Sequence, residues 1–183
     1  MKRLFWLIVL SVAAAFLISP VTDYINRQVH PIKYSEFVTK YSKEYDVPKP
    51  FIYAVIKNES SFKPDATSSI GARGLMQITD VAYDWVNMRS GFDNSFDDMY
   101  DPETNIRYGT YMLKLLLEEF KTEENALCAY HAGWGVAQKW LKNEEYSPDK
   151  ENITNIPYPD TKWYVENVSK SRKIYEKLYF KGE

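Results

Sequence analysis

The stretch Phe51-Ile52-Tyr53-Ala54-Val55-Ile56-Lys57-Asn58-Glu59-Ser60-Ser61-Phe62 opens with six consecutive apolar residues. A helix built on that run has no polar face, so it belongs in a core rather than on a surface. Asp46-Val47-Pro48-Lys49-Pro50 breaks the chain before it. The spacing of Phe37, Val38, Tyr41 and Tyr45 predicts a separate helix further upstream. The apolar run is therefore read as the central helix of a helical domain, and it ends in a carboxylate, Glu59.

Working outward, residues 61–74 read as a loop, with Pro64, hydroxyls at 67–69 and glycines at 71 and 74. Leu75 to Trp85 reads as a helix and 87–102 as a second loop. Asn105 to Phe120 is a long amphipathic helix with Tyr108, Met112, Leu115 and Leu116 on one face. Glu123 to His131 is another, stopped by Gly133 and Gly135, and Gly135 to Leu141 is short. Residues 143–159 are polar loop. The last helix is expected to start at Asp160-Thr161, good capping types, and carries Tyr164, Val168, Ile174 and Leu178 as its apolar stripe. There is no strand alternation and no repeat, so the fold class is all-α.

The chain has 183 residues, a net charge of −2, 45% hydrophobic and 16% aromatic content. That supports one ordered domain with an ordinary core and excludes a disordered chain. The single cysteine, Cys128, excludes an internal disulfide and reads as a small buried residue rather than a catalytic thiol. His30 and His131 are too far apart in sequence to suggest a metal site. No basic block points to nucleic acid.

Residues 1–21 stand apart. Lys2-Arg3 precedes Leu4 to Val21, eighteen uncharged residues. As a helix the run spans roughly 27 Å, close to a bilayer's hydrocarbon core. It reads as a signal anchor or signal peptide. Ala13-Ala14-Ala15 is a poor cleavage site, which favours the uncleaved anchor. The positive start places the remainder outside the cytoplasm. Residues 22–33 read as a stalk and 34–183 as the functional domain. Without Lys2 and Arg3 the chain is net −4.

Two local features point to chemistry. Glu59 faces the unfavourable end of a helix dipole in an apolar neighbourhood, and both raise a carboxyl pKa. A raised pKa suits a general acid near neutral pH. Four of only seven glycines fall in Gly71-Ala72-Arg73-Gly74 and Gly133-Trp134-Gly135, beside Gln77 and Tyr130-His131. Clustered glycine suggests sharp turns or close approach to a ligand. Amides, hydroxyls and flat rings beside it suit a sugar.

These stretches, with Glu59-Ser60-Ser61-Phe62, Gly74-Leu75-Met76-Gln77, Asp101-Pro102-Glu103-Thr104-Asn105-Ile106, Ala129-Tyr130-His131-Ala132-Gly133 and Ile156 to Val165, resemble in order and spacing the motifs of soluble-lytic-transglycosylase-type catalytic domains. The resemblance covers roughly 34–180. It implies a goose-lysozyme-like helical fold acting on peptidoglycan glycan strands, with no cofactor. It implies that Glu59 is the sole acid/base, cleaving the MurNAc-GlcNAc β-1,4 bond without water to leave 1,6-anhydroMurNAc ends. It carries substrate-binding roles to Ser68, Gly74, Met76, Gln77, Tyr130, His131 and Tyr164. Asp65, the nearest second acid, is read as a solvated loop residue. Trp85, Trp134, Trp140 and Trp163 are read mostly as core. His131 departs from the family, which usually has asparagine there, and adds a titrating group. An envelope-spanning secretion, conjugation or division complex is the expected wider setting. Two alternatives stay open: a hydrolytic muramidase of the same fold, and a silent glycan-binding assembly module.

Overall fold

The structure, a computed structural model, describes residues 20–182. Eight helices occur in that span: α1 (20–29), α2 (Ser35–Tyr45), α3 (Lys49–Glu59), α4 (Asp80–Ser90), α5 (Pro102–Phe120), α6 (Glu123–Ala132), α7 (Trp134–Lys142) and α8 (Pro159–Tyr179). A 3-10 turn covers Phe96–Tyr100. Strands are absent among the described residues; two isolated bridges, Thr67–Arg73 and Arg73–Ile78, are the only extended pairing there. Residues 1–19, most of the expected anchor, lie outside the described residues. Within 20–182 no helix is long and apolar enough to cross a membrane.

α3 is the central helix that its composition requires. Every residue from Pro50 to Ile56 is buried, and α8 packs along it more extensively than any other pair of helices. Together α3 and α8 form the spine, with α2, α5 and α6 around it. Buried aromatics fasten the spine: Tyr53 stacks on Tyr175 at 5.3 Å and on Phe180 at 5.8 Å between ring centroids. Side-chain caps start three helices. Thr79 accepts from the Ala82 amide, Asp101 from Thr104 and Thr122 from Asn125.

The helix boundaries differ from the sequence reading at three places. Leu75 to Ile78 is not helical, because Arg73 and Ile78 exchange both backbone hydrogen bonds, at 2.9 and 3.0 Å. Helix α4 therefore starts only at Asp80. The next segment, 87–102, is not all loop, since α4 runs to Ser90 and the 3-10 turn follows. Asp160-Thr161 does not cap α8; the helix begins at Pro159, whose fixed φ and missing amide suit the first helical position.

The segment read as a stalk is also more ordered than that word suggests. It is helical through residue 29 and tied to α8. The Arg27 guanidinium donates to the Leu178 carbonyl at 3.1 Å, and Lys177 pairs with Asp23 at 2.9 Å. The Tyr175 and Tyr179 hydroxyls donate to the Pro31 and His30 carbonyls.

Candidate active site

Glu59 is the last residue of α3. Directly after it the chain reverses through two non-glycine residues in the left-handed region, Ser61 at φ 51° and Phe62 at φ 64°. Such residues cost about 1 kcal/mol or more each. Burial of the Phe62 side chain offsets that, and so does the Ser60 hydroxyl, which donates to the Leu75 carbonyl at 2.8 Å. The turn thus holds the end of α3 against the loop 66–78.

One oxygen of Glu59 is defined from the opposite side of the spine. The Tyr164 hydroxyl, on α8, donates to Glu59 Oε1 at 2.6 Å. Burial raises the Glu59 carboxyl to about 7, against the smaller opposing pull of the Tyr164 bond. Burial and then the Glu59 charge push the phenols of Tyr130 and Tyr164 well above their ordinary value. Both phenols remain neutral donors wherever Glu59 titrates. The Tyr130 hydroxyl donates to the Met76 carbonyl at 2.6 Å. Asp65 is exposed in the loop, as the sequence indicated. Among the described residues no three His, Cys, Asp or Glu side chains gather as a metal site would require.

The loop 66–78 is built on backbone bonds and one buried amide. Ser68 accepts the Ala72 amide on its hydroxyl and exchanges a second bond through the backbone, closing a turn. Gln77, at φ 49°, spends its side-chain amide on the Ala66 and Gly74 carbonyls. Asn105, fully buried on α5, organises the rest. Its Oδ1 accepts the Met76 amide at 2.7 Å, and its Nδ2 donates to the Arg73 and Met99 carbonyls at 2.9 and 2.8 Å. The sequence reading placed Asn105 in a motif without giving it a role. An amide amid the buried face of an apolar helix was the available signal.

Two residues expected to touch substrate are placed otherwise. Gly74 has φ +75°, and a Cβ there would lie 2.1 Å from the Met99 carbonyl oxygen and 2.4 Å from Asn105 Nδ2. Its missing side chain makes room for protein, not ligand. Met76 is fully buried, and its sulfur fills the space over Gly109. Only its backbone, between Asn105 and Tyr130, serves the site.

His131 and its neighbours form the other wall. The His131 ring packs on Tyr164 with centroids 4.5 Å apart, and Nδ1 lies 3.0 Å from the Thr161 hydroxyl. A largely apolar cleft of about 290 Å³ opens alongside. Trp85, Met112, Leu116, Tyr130, His131 and Trp134 are among its lining residues, so it adjoins the Glu59 side of the molecule through Tyr130 and His131. Of the four tryptophans read mostly as core, only Trp140 is buried. Trp134 and Trp163 are exposed and Trp85 is half-buried. Cys128 is buried, and burial pushes its thiol up to about 12.

The site thus combines a half-buried carboxylic acid poised near neutrality, a tyrosine that holds it and a ring-lined cleft in a helical domain. The family model described as the transglycosylase SLT domain matches residues 36–153, and the chain belongs to that family. It is 33% identical over 158 residues to the soluble lytic murein transglycosylase of Escherichia coli, covering 84% of this chain and 24% of that protein. It is 30% identical over 171 residues to membrane-bound lytic murein transglycosylase C of Actinobacillus pleuropneumoniae, covering 81% of this chain and 47% of that one. The chain thus spans about a quarter of the soluble relatives' length. Among solved structures, the Escherichia coli soluble lytic transglycosylase superposes with TM-score 0.76 at 30% identity, over 86% of this chain and 26% of that one. An inactive mutant of a Pseudomonas aeruginosa lytic transglycosylase gives 0.73 at 28% identity, over 82% and 25%.

Proposed function

We propose that this protein is a peptidoglycan lytic transglycosylase of goose-lysozyme-like fold, with Glu59 as its acid/base. The observation that carries the reading is the Glu59 carboxyl, raised to about 7 by burial and held by Tyr164. At neutral pH a large fraction is protonated and able to give a proton to the glycosidic oxygen between MurNAc and GlcNAc. The muramic N-acetyl group stabilises the charge at the anomeric carbon. Glu59, now ionised, accepts the proton of the C6 hydroxyl as that oxygen attacks, and a 1,6-anhydro end forms. Tyr164 donates to Glu59 Oε1 and supports the carboxylate once the proton has left. Tyr130 and the Met76 backbone fix the floor. Ser68, Gln77 and His131 border the bound sugars.

Among the described residues no second carboxylate acts on Glu59, which fits this chemistry, since most glycosidases that activate water pair two carboxylates, the substrate-assisted ones excepted. The run Leu4 to Val21, and similarity to a relative named as membrane-bound, support an anchor with the domain on the outer side of the cytoplasmic membrane. There it would open wall glycan locally, for instance for an envelope-spanning complex. Digestion of purified peptidoglycan by wild type and Glu59→Gln, read by mass spectrometry, tests the reading. Anhydro-muropeptides from wild type alone support it. Reducing ends would make it a muramidase, and no product from a folded wild type would leave a glycan-binding module.

A further inference from the structure

α1 is amphipathic in the inverted sense. Its charged residues face the protein: Asp23 meets Lys177, and Arg27 meets the Leu178 carbonyl and the Tyr179 ring; His30, just past its end, packs edge-on against Tyr175. At 3.6 residues per turn, Val21, Tyr24, Ile25 and Val29 fall on the opposite side, with the exposed Gln28 among them. They are between 48% and 66% exposed, and Ile32 extends the stripe. A helix that turns its apolar side away from its own domain needs an apolar surface outside it.

Charge selects that surface. Asp23 is the only acid in 20–33. Arg27, Lys177 and Lys181 lie around it, and Lys57 and Lys170 lie near His30. A domain of net negative charge therefore carries a basic cluster at this end, on the side of α1 that faces α8, beneath an apolar stripe that follows the run Leu4 to Val21 in sequence. An apolar face with tyrosine and flanking lysines matches an anionic bilayer interface.

We infer that α1 and the C-terminal end of α8 form a docking surface for the anionic bilayer, which sets the height of the cleft above the membrane. α8 carries the consequence, because the same helix that binds α1 at Leu178 positions Tyr164 on Glu59. Fourteen residues of helix separate those points, about 21 Å at ~1.5 Å per residue. Glu59 is thereby held at a fixed reach from the lipid rather than on a flexible tether. The inference rests on the anchored reading of the N-terminal run.

The full-length chain, reconstituted in vesicles containing phosphatidylglycerol, tests it. Nitroxides are attached at Ile25→Cys, Val29→Cys and, as an aqueous reference, Ile70→Cys; Cys128 is buried and stays unlabelled. The labels at 25 and 29 are expected to favour oxygen over a water-soluble nickel chelate several-fold relative to the label at 70. Lys170→Gln/Lys181→Gln is expected to weaken that preference, and an unchanged preference would overturn the role of charge. Aqueous accessibility at 25 and 29 in a chain that floats with vesicles overturns the docking surface alone. Spin–spin broadening between labels on two copies overturns it in favour of self-association. A chain that does not float at all overturns the anchor as well.

Discussion

Tyr164 and Glu59, 105 residues apart, share a 2.6 Å hydrogen bond that joins the two helices of the spine at the carboxyl proposed as acid/base. The bond favours the carboxylate, whereas burial favours the acid, and burial prevails. Tyr164→Phe removes the one interaction among the described residues that lowers that carboxyl. Its pKa should climb further above 7, so the alkaline limb of kcat/KM should move to higher pH. A charged hydrogen bond of this kind contributes about 1.5–3 kcal/mol, so kcat should fall roughly 10- to 100-fold. A pH–rate profile on peptidoglycan checks both; a loss of rate with an unmoved alkaline limb would assign Tyr164 to packing alone.

The raised Glu59 pKa also bears on stability. The folded protein holds a proton between the ordinary carboxyl value of 4.5 and about 7, where the unfolded chain has released it. Stability therefore falls as pH rises through that window, and the whole cost is present above 7. A shift of this size corresponds to about 3 kcal/mol. Glu59→Gln should accordingly be more stable than wild type at pH 8 by an amount of that order, with the difference closing towards pH 4.5. Urea unfolding at several pH values measures it, independently of activity.

Much of this arrangement can be read along the chain, because helices announce themselves locally. The apolar run before Glu59 and the spacing of 105–120 each sit within one element, so periodicity suffices. What the sequence hid depends on pairs brought together by folding. Gly74 looked like a contact for ligand, yet its missing Cβ is filled by Met99 and Asn105 from elsewhere in the chain. Met76 looked like a groove residue until Gly109 gave its sulfur a buried place. The segment 75–78 satisfied a helical pattern, but Arg73 takes its backbone bonds first. Trp134 and Trp163 are apolar enough for a core and are exposed.

Asn105 offers a test of how the loop is held. Asn105→Ala leaves the Met76 amide and the Met99 carbonyl without partners in a buried place, while the Arg73 carbonyl keeps the Ile78 amide. Each such loss costs about 1–3 kcal/mol, so the variant should lose about 2–6 kcal/mol in total. Gly74→Ala should approach the same loss by another route, since its Cβ meets backbone oxygen at 2.1 Å in a left-handed conformation. Because the two side chains share one contact, the double variant should lose less than the sum of the single ones. Chemical denaturation of the two variants and their combination decides this.

His131 adds a second titration to a site whose family relatives were expected to carry an amide there. The ring faces Tyr164 at 4.5 Å, meets the Thr161 hydroxyl through Nδ1 and has Asp160 nearby on the same helix. Burial lowers its pKa below the ordinary 6.5, and Asp160 opposes this only in part. The imidazole is therefore neutral where Glu59 is half-protonated, and becomes cationic only as pH falls further. The cation would then lie against the tyrosine that donates to Glu59, strengthening that donor and favouring the carboxylate when the acid is required. Wild type should thus lose kcat/KM on the acid side as well as the alkaline side, giving a bell whose acid limb lies below 6.5. His131→Asn should keep the alkaline limb near 7 and lack the acid limb, whereas a purely structural role would lower the profile without changing its shape. Measuring both profiles on the same peptidoglycan, with the His131 ring titration followed by NMR, separates the two accounts.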